Sequence, residues 1–99
     1  MYDTSVNTDS IEVNITVKSV DASNAVELKT LLKDLDLQGK DRLVLNLKDV
    51  EFIDSSGIGV LLSLYKQYNQ NASLKHPSAS VLSVLELLRL HRIFEIESE

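Results

Sequence analysis

The clearest strand pattern in the chain is a strict alternation of apolar and polar residues over positions 11–17. This pattern favours a strand with one covered face and one wetter face, and its β-branched members are Ile11, Val13, Ile15 and Val17. Residues 43–47 are almost continuously apolar, as expected of a central strand buried on both faces. Shorter strands are predicted within residues 1–10, as an edge strand, and at residues 72–76 and 93–96.

Three segments between these strands change to the helical period. Their apolar stripes are Ala25, Leu28, Leu31, Leu32 and Leu35, then Ile58, Leu61, Leu62, Tyr65 and Tyr68, and finally Val81, Leu82, Leu85 and Leu88. The predicted caps are Asp21, Ser23 or Asn24 for the first helix and Ser78 or Ser80 for the third. Asn24 with Glu27 resembles a capping box, and Gly39 is predicted to end the first helical region. The second helix is predicted to end near residues 69–71.

The alternation of strands and helices predicts right-handed crossovers onto a largely parallel sheet. We therefore expect one α/β domain over residues 1–99, with a mixed sheet of four or five strands and helices mainly on one side. Working sites of such sheets usually lie at the carboxyl ends of the strands. Asp21 follows the strand at 11–17, and residues 54–57 follow the strand at 43–47. If the two strands are neighbours, both loops share one surface.

The segment Asp54-Ser55-Ser56-Gly57 lies where an apolar run ends and the second helix begins. A helix N-terminus presents unpaired backbone N–H groups and the positive end of the helix dipole, so it favours anionic groups. Aspartate and serine supply capping oxygens, and glycine allows close approach of another backbone or a ligand. An ordinary capped helix explains most of this pattern, but two serines are more than one cap requires.

Composition narrows the classes of function. A net charge of −5 argues against nucleic acid or an anionic membrane as the partner, because phosphate binding needs a surplus of lysine and arginine. The chain has no cysteine and shows no signal peptide or membrane span, so the cytoplasm is the expected location. An apolar content of 43% is ordinary for a globular domain.

Other chemistries find little support in the residues. His76 and His91 are too few for a metal site, no histidine is placed to activate Ser55, and neither a Gly-x-Ser-x-Gly elbow nor a nucleotide-binding loop is present. We expect no enzyme activity and no cofactor. Val84, Leu87 and Leu90 lie off the third helical stripe and could support a weak homodimer.

The central motif resembles the signature of the STAS domain, and within that family the bacterial anti-sigma factor antagonists. The resemblance is carried by Asp54-Ser55-Ser56-Gly57-Ile58-Gly59-Val60-Leu61-Leu62, by Asp21 before the first helix, and by residues 77–81 and 94–96. It covers nearly the whole chain. Residues 17–20 lack a glycine that the family usually has there, and the segment between Tyr65 and Pro77 is shorter than usual.

The resemblance implies a phosphorylation switch at Ser55. In that family a partner that is both a serine kinase and an anti-sigma factor phosphorylates this serine, and a PP2C-type, metal-dependent phosphatase reverses the reaction. The unmodified form binds the anti-sigma factor and frees the sigma factor, whereas the phosphorylated form does not bind. The partner-binding residues implied are Asp21, Asp54, Ser55, Ser56, Gly57 and Ile58. The alternative is a STAS scaffold or a regulatory subunit of another partner-switching or transport-linked complex.

Overall fold

The computed structural model describes residues 1–97 and contains short strands in addition to those predicted. The strands are β1 (Tyr2–Val6), β2 (Ser10–Ile15), β3 (Ser19–Val20), β4 (Arg42–Asn46), β5 (Phe52–Ile53), β6 (Ala72–Lys75) and β7 (Glu95–Glu97). The helices are α1 (Ala25–Lys33), α2 (Ser55–Gln67) and α3 (Ala79–Leu87), followed by a 3₁₀ turn at Leu90–Arg92. None of the helices within residues 1–97 is long and apolar enough to cross a membrane.

Within the described residues, the main sheet has five strands in the order β1-β2-β4-β6-β7. Strand β1 is antiparallel to β2, and the other neighbours are parallel. The predicted mixed sheet and the predicted N-terminal edge strand are therefore confirmed. Strand β4 occupies the centre, and its residues 43–46 are all buried, as their apolar pattern predicted.

A single apolar layer lies between the sheet and the helices. Its helical members include Leu28 and Leu32 of α1, Leu61 of α2, and Val81 and Leu85 of α3, and all of them join one cluster with side chains of β2, β4 and β6. This arrangement confirms helices on one side of the sheet. Three positions assigned to the apolar stripes, Leu31, Leu62 and Leu88, are exposed instead.

The opposite face of the sheet is polar. On this face Asn46 and Lys75 donate hydrogen bonds to the carboxylate of Glu12 at 3.1 Å each, and Glu12 itself is only 9% exposed. Burial alone would raise the pKa of Glu12, but the bonds from Asn46 and Lys75 and the lysine's charge outweigh it and lower the pKa. The wetter face predicted for β2 therefore carries a largely buried ionic contact.

The capping of α1 differs from the prediction. Asn24 occupies the N-cap position, but its side chain makes no capping hydrogen bond and turns back to accept from the backbone N–H of Asp21. The helix ends at Lys33, so Leu35 lies beyond it, and Gly39 does not cap it. Gly39 (φ 82°) instead follows Gln38 (φ 53°) in a turn closed by Lys40 and Leu37. Two successive residues with positive φ form a separate turn here, which is why glycine is needed.

The C-terminal region matches the prediction in part. Ser78 caps α3 by accepting from the backbone N–H of Val81 at 3.3 Å, as expected. The last strand is Glu95–Glu97 rather than residues 93–96, because the 3₁₀ turn extends the irregular segment. Leu90 is buried by that turn and is not part of an exposed strip, whereas Leu87 is 81% exposed.

Candidate functional site

A two-stranded parallel ribbon, formed by β3 and β5 outside the main sheet, positions the site. Ser19 pairs with Phe52 and Val20 with Ile53, and the backbone N–H of Asp54 donates to the carbonyl of Val20 at 3.3 Å. The ribbon brings the loop after β3 beside the loop after β5. The expectation that Asp21 and residues 54–57 share one surface is therefore confirmed, although these two short strands were not predicted to make the junction.

Asp54 is the residue that links the two loops. Its Oδ1 accepts a hydrogen bond from the backbone N–H of Gly57 at 3.0 Å, which caps α2. Its Oδ2 accepts from the backbone N–H of Ala22 at 3.2 Å, in the loop that precedes α1. One carboxylate thus satisfies an unpaired N–H group at the start of α2 and another in the neighbouring loop.

Asp21 is held by hydroxyl groups on both sides. Ser19 Oγ donates to its Oδ2 at 2.9 Å, and the backbone N–H and the hydroxyl of Ser23 both donate to its Oδ1, at 2.9 and 2.5 Å. Hydrogen bonds from Ser23, and then from Ser19, lower the pKa of Asp21. Asp21 is therefore a fixed anion close to the start of α2.

Ser55 and Ser56 are exposed and form the first two positions of α2. The N-cap role belongs to Asp54, so neither serine is required to cap the helix. Their hydroxyl groups project from a helix N-terminus, which favours an added negative charge. Both serines are accessible to another protein.

Gly57 and Ile58 lie beneath this surface. A Cβ atom at Gly57 would come within 2.3 Å of the Val20 carbonyl oxygen, so only glycine allows α2 to approach the ribbon this closely. The Ile58 side chain is buried in the core. Of the six residues implied by the resemblance, Asp21, Asp54, Ser55 and Ser56 reach the surface, whereas Gly57 and Ile58 support the loop from below.

An apolar groove between α1 and α2 adjoins the serines and was missed in the sequence. It has a volume of about 240 Å³ and is lined by Ala25, Val26, Lys29, Ser56, Gly59 and Val60. Val26 is 78% exposed and adds an apolar side chain to the rim of this groove. In the sequence, the only indication of this groove is a valine one position off the apolar stripe of α1. That the valine borders a groove becomes visible only once the two helices are packed together.

The site has the composition of a binding surface. It offers two carboxylates, two exposed hydroxyls and an apolar groove. Within the part of the chain that the structure describes, no group of three or more histidine, aspartate or glutamate side chains could hold a metal ion.

Comparison with known proteins shows which protein family the chain matches. A family model described as the STAS domain matches residues 6–99. The anti-sigma-B factor antagonist of Bacillus subtilis (strain 168) is 37% identical over 95 residues, which cover 95% of this chain and 79% of that protein.

Solved structures agree in fold. A Thermotoga maritima protein, solved as a candidate anti-sigma factor antagonist, has a TM-score of 0.83 and 28% identity, covering 99% of this chain and 86% of its own. The anti-sigma factor antagonist SpoIIAA in its unphosphorylated form has a TM-score of 0.77 at 17% identity, covering 100% and 90%. The phosphorylated form of the Bacillus protein SpoIIAA has a TM-score of 0.68 at 17% identity, covering 100% and 93%. At 17% identity the likeness concerns the fold alone.

Proposed function

The chain belongs to the STAS domain family, and from this premise we propose that it is an anti-sigma factor antagonist switched by phosphorylation of Ser55. Its binding partner is an anti-sigma factor that is also a serine kinase, and a PP2C-type phosphatase restores the binding form. The relative from Bacillus subtilis, named an anti-sigma-B factor antagonist, supports the class of partner. We expect the protein to meet such a partner in the cytoplasm.

The observation that carries the proposal is the position of Ser55. It is exposed at the first position of α2, and Asp54 already provides the cap that the helix needs. Its hydroxyl is therefore free to be modified without loss of a structural contact. SpoIIAA, which has the same fold, is known in both an unphosphorylated and a phosphorylated form.

The expected effect of the phosphate lies at the interface and not in the fold. A phosphoserine adds roughly −1.5 to −2 charges, and a helix N-terminus tolerates such charge with a stabilisation of about 0.3–1 kcal/mol when exposed. In a complex, the same charge beside Asp54 and Asp21 would have to be desolvated or repelled. A loss of a few kcal/mol there corresponds to roughly a hundredfold weaker binding, since about 1.4 kcal/mol is tenfold.

The neighbouring residues then divide into two roles. Asp21, Asp54 and Ser56 contact the partner directly, since Asp54 and Ser56 flank Ser55 and Asp21 lies in the loop that Asp54 joins to the start of α2. Gly57 and Ile58 hold the loop in shape from below, since both are buried. The protein itself acts as a binding protein and not as an enzyme.

The test compares four proteins for affinity to the cognate anti-sigma kinase: the wild type, Ser55→Ala, Ser55→Asp and the phosphoprotein. We expect Ser55→Ala to bind like the wild type and to accept no phosphate, and Ser55→Asp and the phosphoprotein to bind roughly a hundredfold more weakly. Thermal unfolding should be nearly unchanged in all four.

Two controls make the result specific. Ser83→Asp adds the same charge at an exposed position of α3 and should leave the affinity unchanged. Incubation of the wild type with ATP and Mg²⁺ alone should incorporate no phosphate. Equal affinity of the wild type, Ser55→Asp and the phosphoprotein would remove the switch and favour a STAS scaffold or regulatory subunit instead.

A further inference from the structure

Strand β1 is an open edge of the main sheet. It pairs with β2 over five residues in a continuous antiparallel register, and on its other side no strand of residues 1–97 follows. Four of its five residues are exposed, including Val6 at 56%. An open edge of this kind presents backbone hydrogen-bonding groups to any second strand.

The pairing with β2 shows which backbone groups point outward. The carbonyl of Met1 accepts from Thr16, and the N–H of Asn7 donates to Ser10, each at 2.9 Å. Since hydrogen-bonded pairs alternate along an antiparallel ladder, the backbone groups of Asp3 and Ser5 also face β2. The backbone groups of the residues between them face the open edge instead. These residues are Tyr2, Thr4 and Val6.

The two edges of the sheet differ in protection. Strand β7, at the other edge, has three residues, two of which are glutamates. Short length and charge are common means of preventing edge pairing, as are lysine, proline and bulges. Strand β1 is longer, has a single charged residue, Asp3, contains no lysine or proline, and has an unbroken register. The chain therefore blocks one edge and leaves the other able to pair.

We propose that β1 is the contact surface for a second copy of this chain, with the two β1 strands antiparallel about a two-fold axis at Thr4. In this register Thr4 pairs with the partner's Thr4, and Tyr2 pairs with the partner's Val6. Every outward-facing backbone group identified above then gains a partner, because all of them fall in hydrogen-bonded pairs. A register shifted by one residue, with the axis between Thr4 and Ser5, would instead set each of these residues opposite one whose backbone groups face β2.

The side chains are self-complementary in the same register. Tyr2 packs against the core on the helix-bearing side, so the exposed Val6 of the other copy lies beside an aromatic ring. Aromatic and β-branched side chains paired across strands contribute about 0.2–1 kcal/mol. On the opposite face, Asp3 lies across from the uncharged Ser5, so no like charges meet directly.

A contact through one strand is small, and the dimer is therefore weak. Interfaces below roughly 1,200 Å² are typical of transient complexes. Strand β1 contributes no residue to the loops that hold Asp21 and Ser55. The dimer consequently leaves the proposed switch accessible, and its existence does not depend on the proposed function.

Sedimentation equilibrium over protein concentrations from micromolar to about millimolar tests the proposal. The wild type should shift from the monomer mass of 11.1 kDa towards twice that mass. Thr4→Lys should remain monomeric, because two lysines would face each other at the axis. Ser83→Lys makes the same charge change at an exposed position of α3 and should dimerise like the wild type. Thermal unfolding of both variants at low concentration checks that each is folded.

A cross-linking experiment tests the register. The chain has no cysteine, so Thr4→Cys introduces a single thiol. Paired strands place the two Cα atoms at the axis about 5.5 Å apart, and a short bifunctional thiol reagent should join two copies. Ser83→Cys should not be joined. A wild type that stays monomeric throughout, a dimer that survives Thr4→Lys, or equal cross-linking of both cysteine variants would overturn the proposal.

Discussion

Gly57 and Gly59 lie two residues apart in α2 and have opposite surroundings. A Cβ at Gly57 would meet the Val20 carbonyl oxygen at 2.3 Å and Cγ1 of Ile53 at 2.6 Å, whereas a Cβ at Gly59 would have no atom within 4 Å. Both neighbours of Gly57 belong to the β3–β5 ribbon. The first glycine is therefore required by packing, and the second is not required by this fold.

Substitution by alanine should accordingly change stability in opposite directions. Gly57→Ala must displace the ribbon and should lower the free energy of unfolding by about 1–3 kcal/mol. Gly59→Ala should raise it by about 0.5–1 kcal/mol, because an exposed helical glycine costs conformational entropy. Urea unfolding of the two variants measures both effects, and each variant is the control for the other. Destabilisation by Gly59→Ala would mean that the added methyl group meets a neighbouring atom in solution.

At the scale of single residues, the sequence indicated which residue types form the site better than it indicated why each of them is needed. A cap from aspartate or serine at an exposed helix start follows from local chemistry and is confirmed, and the structure shows that Asp54 provides it. The need for glycine at position 57 depends on Val20, which is distant in sequence. Similarly, Asn24 was assigned a local capping bond, but the carbonyl of Ser19 and the N–H of Asp21 compete for its side chain.

At the scale of elements, α1 and α2 are joined at both ends. At their starts, Asp54 accepts from Ala22 as well as from Gly57. At their ends, the Tyr68 hydroxyl donates to the carbonyl of Leu32 at 2.9 Å, and the Gln67 side chain donates to the carbonyl of Lys33. These carbonyls belong to the last turn of α1 and have no partner within the helix. The two helices and the loops before them therefore form one unit.

Two substitutions at Asp54 separate its two roles. Asp54→Asn can still accept from Gly57, but its amide nitrogen cannot accept from Ala22, so we expect a loss of about 0.5–1.5 kcal/mol. Asp54→Ala loses the cap as well and should cost up to about 2 kcal/mol. Amide hydrogen exchange at Ala22 should be faster in both variants, and exchange at Gly57 should be faster only in the alanine variant. Unchanged exchange at Ala22 would show that the link between the loops is not formed in solution.

The long periodic elements were predictable, and the short ones were not. Strands β2 and β4 and the three helices follow from apolar periodicity over many residues. Strands β3 and β5 have two residues each, and only their pairing with each other makes them strands. The end of α1 at Lys33 was also missed, since Leu35 continues the helical stripe and packs against the core from outside the helix.

At the scale of the whole molecule, the polar face of the sheet is organised around Glu12. Its side chain is 12% exposed and that of Lys75 is 31% exposed, and the two are 3.1 Å apart. Because the pKa of Glu12 is lowered in the folded state, its contribution to stability is present above the unfolded pKa. That contribution is lost as the pH falls through the folded pKa.

Substitution of Lys75 should reveal how the contribution of Glu12 to stability depends on pH. Lys75→Met leaves the Glu12 carboxylate partly buried without its cation and should lower the free energy of unfolding at neutral pH by about 1–3 kcal/mol. The difference from the wild type should shrink on acidification, because a protonated Glu12 no longer needs the cation. Denaturant unfolding across the acid range measures it, with Lys29→Met at an exposed position as the control. A deficit independent of pH would assign the loss to packing of the lysine stem.

The contact between Glu12 and Lys75 also favours one alignment of the strands. Glu12, Asn46 and Lys75 belong to β2, β4 and β6, and the observed register brings their side chains together on the polar face. A strand displaced by one residue turns every side chain to the other face. Such a slip would carry a carboxylate into the layer beneath the helices, far from any cation. The free-energy cost of burying an unpaired charge therefore disfavours misaligned sheets. The observed alignment is favoured because the alternative alignments are destabilised.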